Sequence, residues 1–260
     1  MKKGIAALLL TIIMVPVSQK SMAWGKKGHE LVAQIASKFL DDSTRKVVKG
    51  YLGNLSFEEA ANWMDDERGN SYYNYMRTWH YLDIDKGEVY KASTERNIIT
   101  VLHSAIVDLR LYKTIKRKET KRDLLLIFHL MGDLHQPLHT GYAIDKGGNT
   151  ININSPAVSG NLHSVWDTQI IDAKNITLDS CMQVYSTLDT AEVADLKKVN
   201  ELKWMYQSRS LLDTVYNFKD NYLDQHYIDR NSLIIKKQLV IAGIRLAAVL
   251  NEVFGPAAKR

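Results

Sequence analysis

One cysteine, Cys181, is all the sulfur chemistry these 260 residues hold beyond methionine. No disulfide can form within the chain, and cysteine-rich zinc sites are excluded. Any metal site must therefore be built from histidine and carboxylates. No internal repeat, linker or low-complexity stretch interrupts the sequence. Strong net charge is missing as well. The formal +5 includes Lys2, Lys3 and Lys20, so the chain after Ala23 is near +2, too little for a nucleic-acid footprint from bulk charge. An anionic substrate would have to be drawn by something local. No uncharged apolar run is long enough to span a bilayer. The longest, "GIAALLLTIIMVPV", has 14 residues.

That run follows Lys2 and Lys3 and precedes "SMA", whose small residues sit where a signal peptidase reads. An export signal over residues 1–23 is expected, cleaved after Ala23 so that the mature chain begins at Trp24. The alternative is an N-terminal membrane anchor. Export implies a secreted or periplasmic protein with no stable membrane anchor after cleavage. Ordinary composition, 45% hydrophobic and 24% charged, suits one globular domain over residues 24–260.

Most of that domain reads as helix. "GHELVAQIASKFL", "TERNIITVLHSAIVDLRLYKTI", "KRDLLLIFHLMGDLH", "LHSVWDTQIIDA" and "NSLIIKKQLVIAGIRLAAVLNEVF" carry helical patterning. The third must stop near Pro137. The last carries Lys236, Lys237, Arg245 and Glu252, which marks a core helix. "GGNTININS" alternates like a strand, so a small hairpin or extended loop is expected near 147–154. The fold class is all-α, a single mainly helical domain.

What stands out is the polar content of these helices. His129 and Asp133 are four apart, on one helical face. His163 and Asp167 repeat the spacing. Zinc takes imidazole nitrogen and carboxylate oxygen, so each pair suits half of a tetrahedral site; either pair alone also suits a plain ion pair. His139, just past Pro137, can turn back toward the same cavity. Asp65, His80 and His29 add donors amid aromatic and apolar neighbours. Taken singly, Asp65 reads equally as a helix cap and His80 as a buried structural histidine. His103, His226 and His135 remain over: the first two read as structural or exposed, and His135 as a hydrogen-bonding neighbour of the ligands.

The ordered motifs "WGxxGH", "WxDxxR", "WHYxD", "HxxGDxHQPLH", "GGN" and "NLHSxWD" span Trp24 to Asp167. Together they resemble the zinc-dependent single-strand nucleases of fungi and plants, a family related in fold to bacterial zinc phospholipases C. The resemblance implies three Zn²⁺ per chain. Asp65, His80, His129 and Asp133 would hold the first. His139, His163 and Asp167 would hold the second. Trp24, through its free amino nitrogen and carbonyl oxygen, would hold the third with His29 and a bridging Asp133. Six metal charges against three carboxylates leave a positive cavity that attracts a phosphodiester.

By the same resemblance Asp65, Arg68 and Asp133 are the catalytic candidates, with Arg68 gripping the phosphate. Tyr81, Asp83 and Asn149 are the candidates for holding the base or its phosphate. The implied activity is cleavage of single-stranded RNA and DNA to 5′-nucleotides by a zinc-activated water, with 3′-nucleotides as further substrates. No protein partner is implied, and a monomer is expected. A phospholipase C is the nearest rival, but its last ligand pair tends to end in Glu rather than Asp167, and its Trp-to-His spacing is longer. A non-catalytic exported zinc-binding protein would need the ligands but not Arg68, Tyr81 or "GGN".

Overall fold

A computed structural model describes residues 24–256, so the leader read from residues 1–23 lies outside the described residues. The chain runs α1 (Lys26–Phe39), α2 (Asp42–Leu52), α3 (Phe57–Asp66), α4 (Ile98–Arg110) and α5 (Arg117–Leu134), then strands β1 (Asn152–Asn154) and β2 (Ser159–Asn161). It continues through α6 (Leu162–Ser164), α7 (Ile170–Ala173), α8 (Leu178–Tyr185), α9 (Thr190–Leu196), α10 (Glu201–Arg209), α11 (Leu212–Val215) and α12 (Gln225–Phe254). The architecture is mainly helical, as the patterning implies.

Local chemistry explains the helix ends. At α3, Ser56 Oγ accepts from Glu59 N at 3.0 Å while Glu59 accepts from Ser56 N at 2.7 Å, a reciprocal cap. The Asn97 side chain caps α4 through Ile99 N and Thr100 N. Asp224 caps α12 at Tyr227 N, 2.7 Å. Past α5, the His135 and Gln136 amides fold back to the Gly132 and Asp133 carbonyls, and Pro137 follows.

α5 is the central element. Every residue from Asp123 to Leu134 is buried, and α1, α3, α4 and α12 pack around it. α12 also runs along α1, where Gly243 allows close approach: a Cβ there would meet Ile35 Cγ2 at 2.5 Å. Among the described residues no helix is long and apolar enough to cross a membrane.

Two local expectations need correction. The hairpin begins inside the expected 147–154 stretch and extends beyond it: Asn152 pairs with Asn161, Ile153 with Gly160 and Asn154 with Ser159. Gly147 and Gly148 instead form a tight turn at φ 60° and 79°, held by Gly148 N donating to Asp145 Oδ1 at 2.8 Å. Nor is "LHSVWDTQIIDA" one regular helix. Its middle widens by a residue, with Ile170 N bonding Val165 O five residues back. Such bulges inside helices gather at functional sites.

Candidate metal centre

Five elements, α5 among them, bring the polar residues to the C-terminal end of α5. α5 carries His129 and Asp133, the turn after Pro137 carries His139, and α1 opens with His29. α3 ends at Asp65, and the α6 segment supplies His163 and Asp167. All of these except Asp65 are buried, as is His80, and Asp65's own side chain is only 4% exposed. Three groups of potential ligand atoms result: His29, His129 and Asp133; Asp65, His80 and His129; His139, His163 and Asp167.

Asp133 sits among most of them. Its Oδ2 lies 3.0 Å from His80 Nδ1 and 3.2 Å from His129 Nε2, and its Oδ1 lies 3.3 Å from His29 Nε2. In the other group His163 Nε2 is 3.1 Å from His139 Nε2 and 3.4 Å from Asp167 Oδ2. Donors about 2.0–2.1 Å from a tetrahedral zinc sit about 3.3 Å from one another, so these separations match the edges of such polyhedra. Trp24 is buried beside them. A Cβ on Gly28 would meet Trp24 Cβ at 2.8 Å, and one on Gly132 would meet His29 Nδ1 at 2.8 Å and Trp24 Cδ1 at 3.5 Å. Gly25 N donates to Asp167 O at 2.8 Å, which ties this end of the chain to the site.

The hydrogen bonds fix the tautomers, and the tautomers test whether a metal fits. His139 Nδ1 donates to His80 O at 2.7 Å, and His163 Nδ1 to Gly147 O at 2.6 Å. In the neutral rings both Nε2 atoms then carry lone pairs, yet they face each other at 3.1 Å. His129 is built alike, with Nδ1 donating to Ala61 O at 2.7 Å and Nε2 turned inward. Facing lone pairs in a buried space call for a cation between them. Both His29 nitrogens, Asp65 Oδ2, Asp133 Oδ1 and Asp167 Oδ2 are buried without a hydrogen bond, which fits the same need. The donor set suits zinc.

Electrostatics agree. Burial drives the Asp167 carboxyl well above its ordinary range, more than His163 and Gln136 offset, so a cation is wanted there. Burial also opposes the charge on Asp133, but His129 and His139 outweigh it and hold that carboxyl well below its usual value. Burial lowers His80 to about 4, which keeps it a neutral ligand.

The remaining candidates line one cavity of about 590 Å³ opening on this cluster. Arg68, Arg77, His80, Tyr81, Asp83, Lys146, Asn149 and His163 form much of its wall. Arg68 Nε pairs with Asp65 Oδ1 at 2.7 Å. Tyr81 is 40% exposed, open to a stacking ring. Burial pushes Asp83 up to about 6, against the pull of His139 and Arg209. The Asn149 amide donates to Lys146 O at 2.8 Å, from the glycine turn rather than the hairpin. His103 is exposed beside Glu201, and His226 is exposed.

Several supporting residues are not among the candidates, although Gln136 lies inside the "HQPLH" motif. Gln136 donates from Nε2 to Asp167 Oδ1 at 2.6 Å and accepts at Oε1 from Leu138 N at 2.7 Å, so it orients Asp167. Gln136→Leu is expected to weaken metal binding about 10–100-fold, read by competition with a chelator; unchanged affinity would refute the role. Arg209 bonds the carbonyls of Thr140, Gly141 and Ile84, joining the His139 turn to the strand-like segment after Tyr81. Arg245 reaches from α12 to His135 Nε2 at 2.7 Å, while His135 Nδ1 donates to Met131 O. Its other end bonds Gln207, and burial lowers its guanidinium to about 9. Arg245→Leu strands one buried acceptor, His135 Nε2, and should cost about 1–3 kcal/mol of stability; an unshifted thermal or denaturant midpoint would contradict this.

Comparison with known proteins bears on what the cavity acts upon. A family profile described as S1/P1 Nuclease matches residues 24–255. "Endonuclease 2" of Arabidopsis thaliana is 29% identical, over 96% of this chain and 97% of that protein. "Nuclease S1" of Aspergillus oryzae is 24% identical, over 94% and 96% of the two chains. "Nuclease P1" of Penicillium citrinum is 25% identical, over 89% and 98%. The match begins at Trp24, runs through every element that builds the cavity and continues to the end of α12, and on that extent the chain belongs to the S1/P1 nuclease family.

Proposed function

We propose that the chain is an exported zinc phosphodiesterase, cut after Ala23 to a single domain over 24–260. It cleaves single-stranded RNA and DNA to 5′-phosphorylated products and removes the phosphate from 3′-nucleotides. The observation that carries this is the pair of inward lone pairs at His139 and His163, 3.1 Å apart and unresolved by any donor. Asp65, His80, His129 and Asp133 would hold one ion; His139, His163 and Asp167 a second; the Trp24 amine and carbonyl, His29 and Asp133 a third. Bound zinc supplies Lewis acidity and a water that ionises near neutral pH.

The protein's own groups do the rest. Hydrolysis joins a water oxygen to phosphorus and breaks the P–O3′ bond: the downstream fragment keeps the phosphate on its 5′ oxygen, and the upstream fragment leaves with a 3′-hydroxyl once its oxygen takes up a proton. Arg68, on the cavity wall, donates to the phosphate as negative charge grows there. Asp65, whose Oδ2 is buried without a hydrogen bond, takes the proton of the attacking water in this reading. Tyr81 stacks the base, a contact worth about 1–3 kcal/mol and tolerant of base identity. Asp83 bonds the base edge, and Asn149 contacts base or phosphate from the glycine turn. A duplex keeps its bases stacked and its phosphates out of this recess, which favours single strands.

The test compares the purified, zinc-loaded chain on single-stranded DNA, single-stranded RNA, duplex DNA, a 3′-mononucleotide and phosphatidylcholine. Cleavage of single strands well ahead of duplex, with 5′-phosphate ends, is expected. Hydrolysis of phosphatidylcholine alone would overturn the reading in favour of a phospholipase C, and zinc binding without hydrolysis would favour the non-catalytic protein.

A further inference from the structure

Beside the cavity the chain exposes far more aromatic surface than one bound nucleotide can use. The short 3₁₀ turn Ser71–Met76 leaves Tyr72 74% and Tyr75 53% exposed. Their rings belong to a connected row. Tyr72 meets Tyr73 edge-on at 5.0 Å, Tyr73 lies 6.3 Å from Tyr75, and Tyr75 meets Trp79 at 5.2 Å. Trp63 supports the row from beneath at 5.2 Å from Tyr73. Trp79 directly precedes His80 in the chain, and Arg77, between Tyr75 and Trp79, lines the cavity.

Cations follow the same path. The Arg96 guanidinium lies over Trp79 at 5.3 Å. Arg77, exposed, lies between Tyr75 and Trp79 in the chain and also lines the cavity, with Arg68 and Lys146. Two acids flank the row in sequence: Glu67, to which the Asn70 amide donates at 2.9 Å, and Asp83, which lines the cavity. Large aromatic side chains left in water forgo the burial that normally holds them. A row of them joined through Arg77 to the wall of a cationic cavity matches what binds an unpaired strand: ring faces for bases and spaced positive charges for the backbone.

We propose that this row is an extended binding surface for single-stranded nucleic acid, holding several nucleotides that flank the scissile phosphate. Tyr72 and Tyr75 stack the flanking bases, and Arg77 contacts the phosphate that links them to the nucleotide on Tyr81. The surface makes the enzyme prefer long strands to dinucleotides. The proposal rests on the phosphodiesterase reading of the cavity. A membrane interface could also use exposed tyrosine and tryptophan beside arginine, but Arg77, which belongs both to this segment and to the cavity wall of a nuclease, favours the strand.

The experiment uses the zinc-loaded chain and a variant with Tyr72→Ala and Tyr75→Ala. A 20-nucleotide DNA strand, a dinucleotide and a 3′-mononucleotide serve as substrates. For the 20-mer, KM should rise about tenfold to a hundredfold, with kcat little changed. The dinucleotide and mononucleotide should be handled as by the parent. Anisotropy of a labelled 20-mer reads the same surface without turnover: its Kd should weaken in parallel. Arg77→Gln should lower the slope of log Kd against log salt by about 0.7. Tyr72→Phe with Tyr75→Phe should keep parent affinity, which separates stacking from misfolding.

An unchanged 20-mer KM and Kd, or an equal loss on the dinucleotide, would overturn the proposal. So would loss of binding to vesicles of phosphatidylcholine and phosphatidylserine while 20-mer binding stays intact. If the parent cleaves nothing yet binds the 20-mer through these tyrosines, the phosphodiesterase reading fails and the surface stands.

Discussion

Asp133→Asn should reduce kcat/KM by about 10³-fold or more, the scale at which charge-stabilising groups act in such sites. It should also remove two of three bound metals while leaving the helical fold in place. The side chain is isosteric, so α5 keeps its packing. What changes is the character of one group on which three imidazoles converge, from His80 at 3.0 Å, His129 at 3.2 Å and His29 at 3.3 Å. The carboxylate offers lone pairs from both oxygens and is held ionised by His129 and His139 against the cost of its burial. An amide replaces one acceptor with two N–H donors and cancels the charge. In the proposed arrangement two of the three metals share this residue, so both should empty. Metal analysis with steady-state kinetics reads both effects; an Asp133→Asn chain with the parent's metal content would contradict the shared role.

A chain that keeps Ala23 ahead of Trp24 should lose about one zinc and about 10²-fold or more in activity. An α-amine ligates through its lone pair, whereas the amide nitrogen of an uncut Ala23–Trp24 bond has its pair delocalised into the carbonyl. The fold leaves Trp24 little room to retreat. Its side chain is fully buried, Gly25 N is bonded to Asp167 O, and Gly28 and Gly132 lack the Cβ atoms that would displace it and His29. The leader, if cleaved there, would therefore act as a chemical mask on the third site. Two preparations differing by one residue, identified by N-terminal sequencing, decide the point. Equal zinc content and equal turnover would refute it.

Much of the centre was legible because helical spacing encodes it. His129 and Asp133 are four positions apart, and one turn of α5 places both on the same wall. The same count at His163 and Asp167 worked although the backbone there widens by a residue, since the pair still ends 3.4 Å apart. What stayed hidden is contact across long separations. Arg245 touches His135, and Gln238 donates to the His135 carbonyl at 3.0 Å, 103 residues away in sequence. Nothing periodic in α12 announces either. The C-terminal segment, without a motif, turns out to brace the metal-bearing turn from behind: α10 contributes Arg209, and α12 contributes Gln238 and Arg245. The hairpin was expected to start too early because "GGNTININS" alternates correctly from Ile151 but its glycines are spent on a left-handed turn. The exposed tyrosines were unreadable as a surface, because apolar content alone does not say which rings the fold leaves in water.

The central claim is that one cavity gathers the Trp24 terminus, five imidazoles and three carboxylates around three metal ions. Anomalous diffraction at the zinc edge, from crystals of the chain beginning at Trp24, tests it most directly. Three peaks are expected within this cavity: one beside His139, His163 and Asp167, and two sharing Asp133, of which one also touches the Trp24 amine. A single peak, or zinc bound by side chains outside these nine positions, would contradict it.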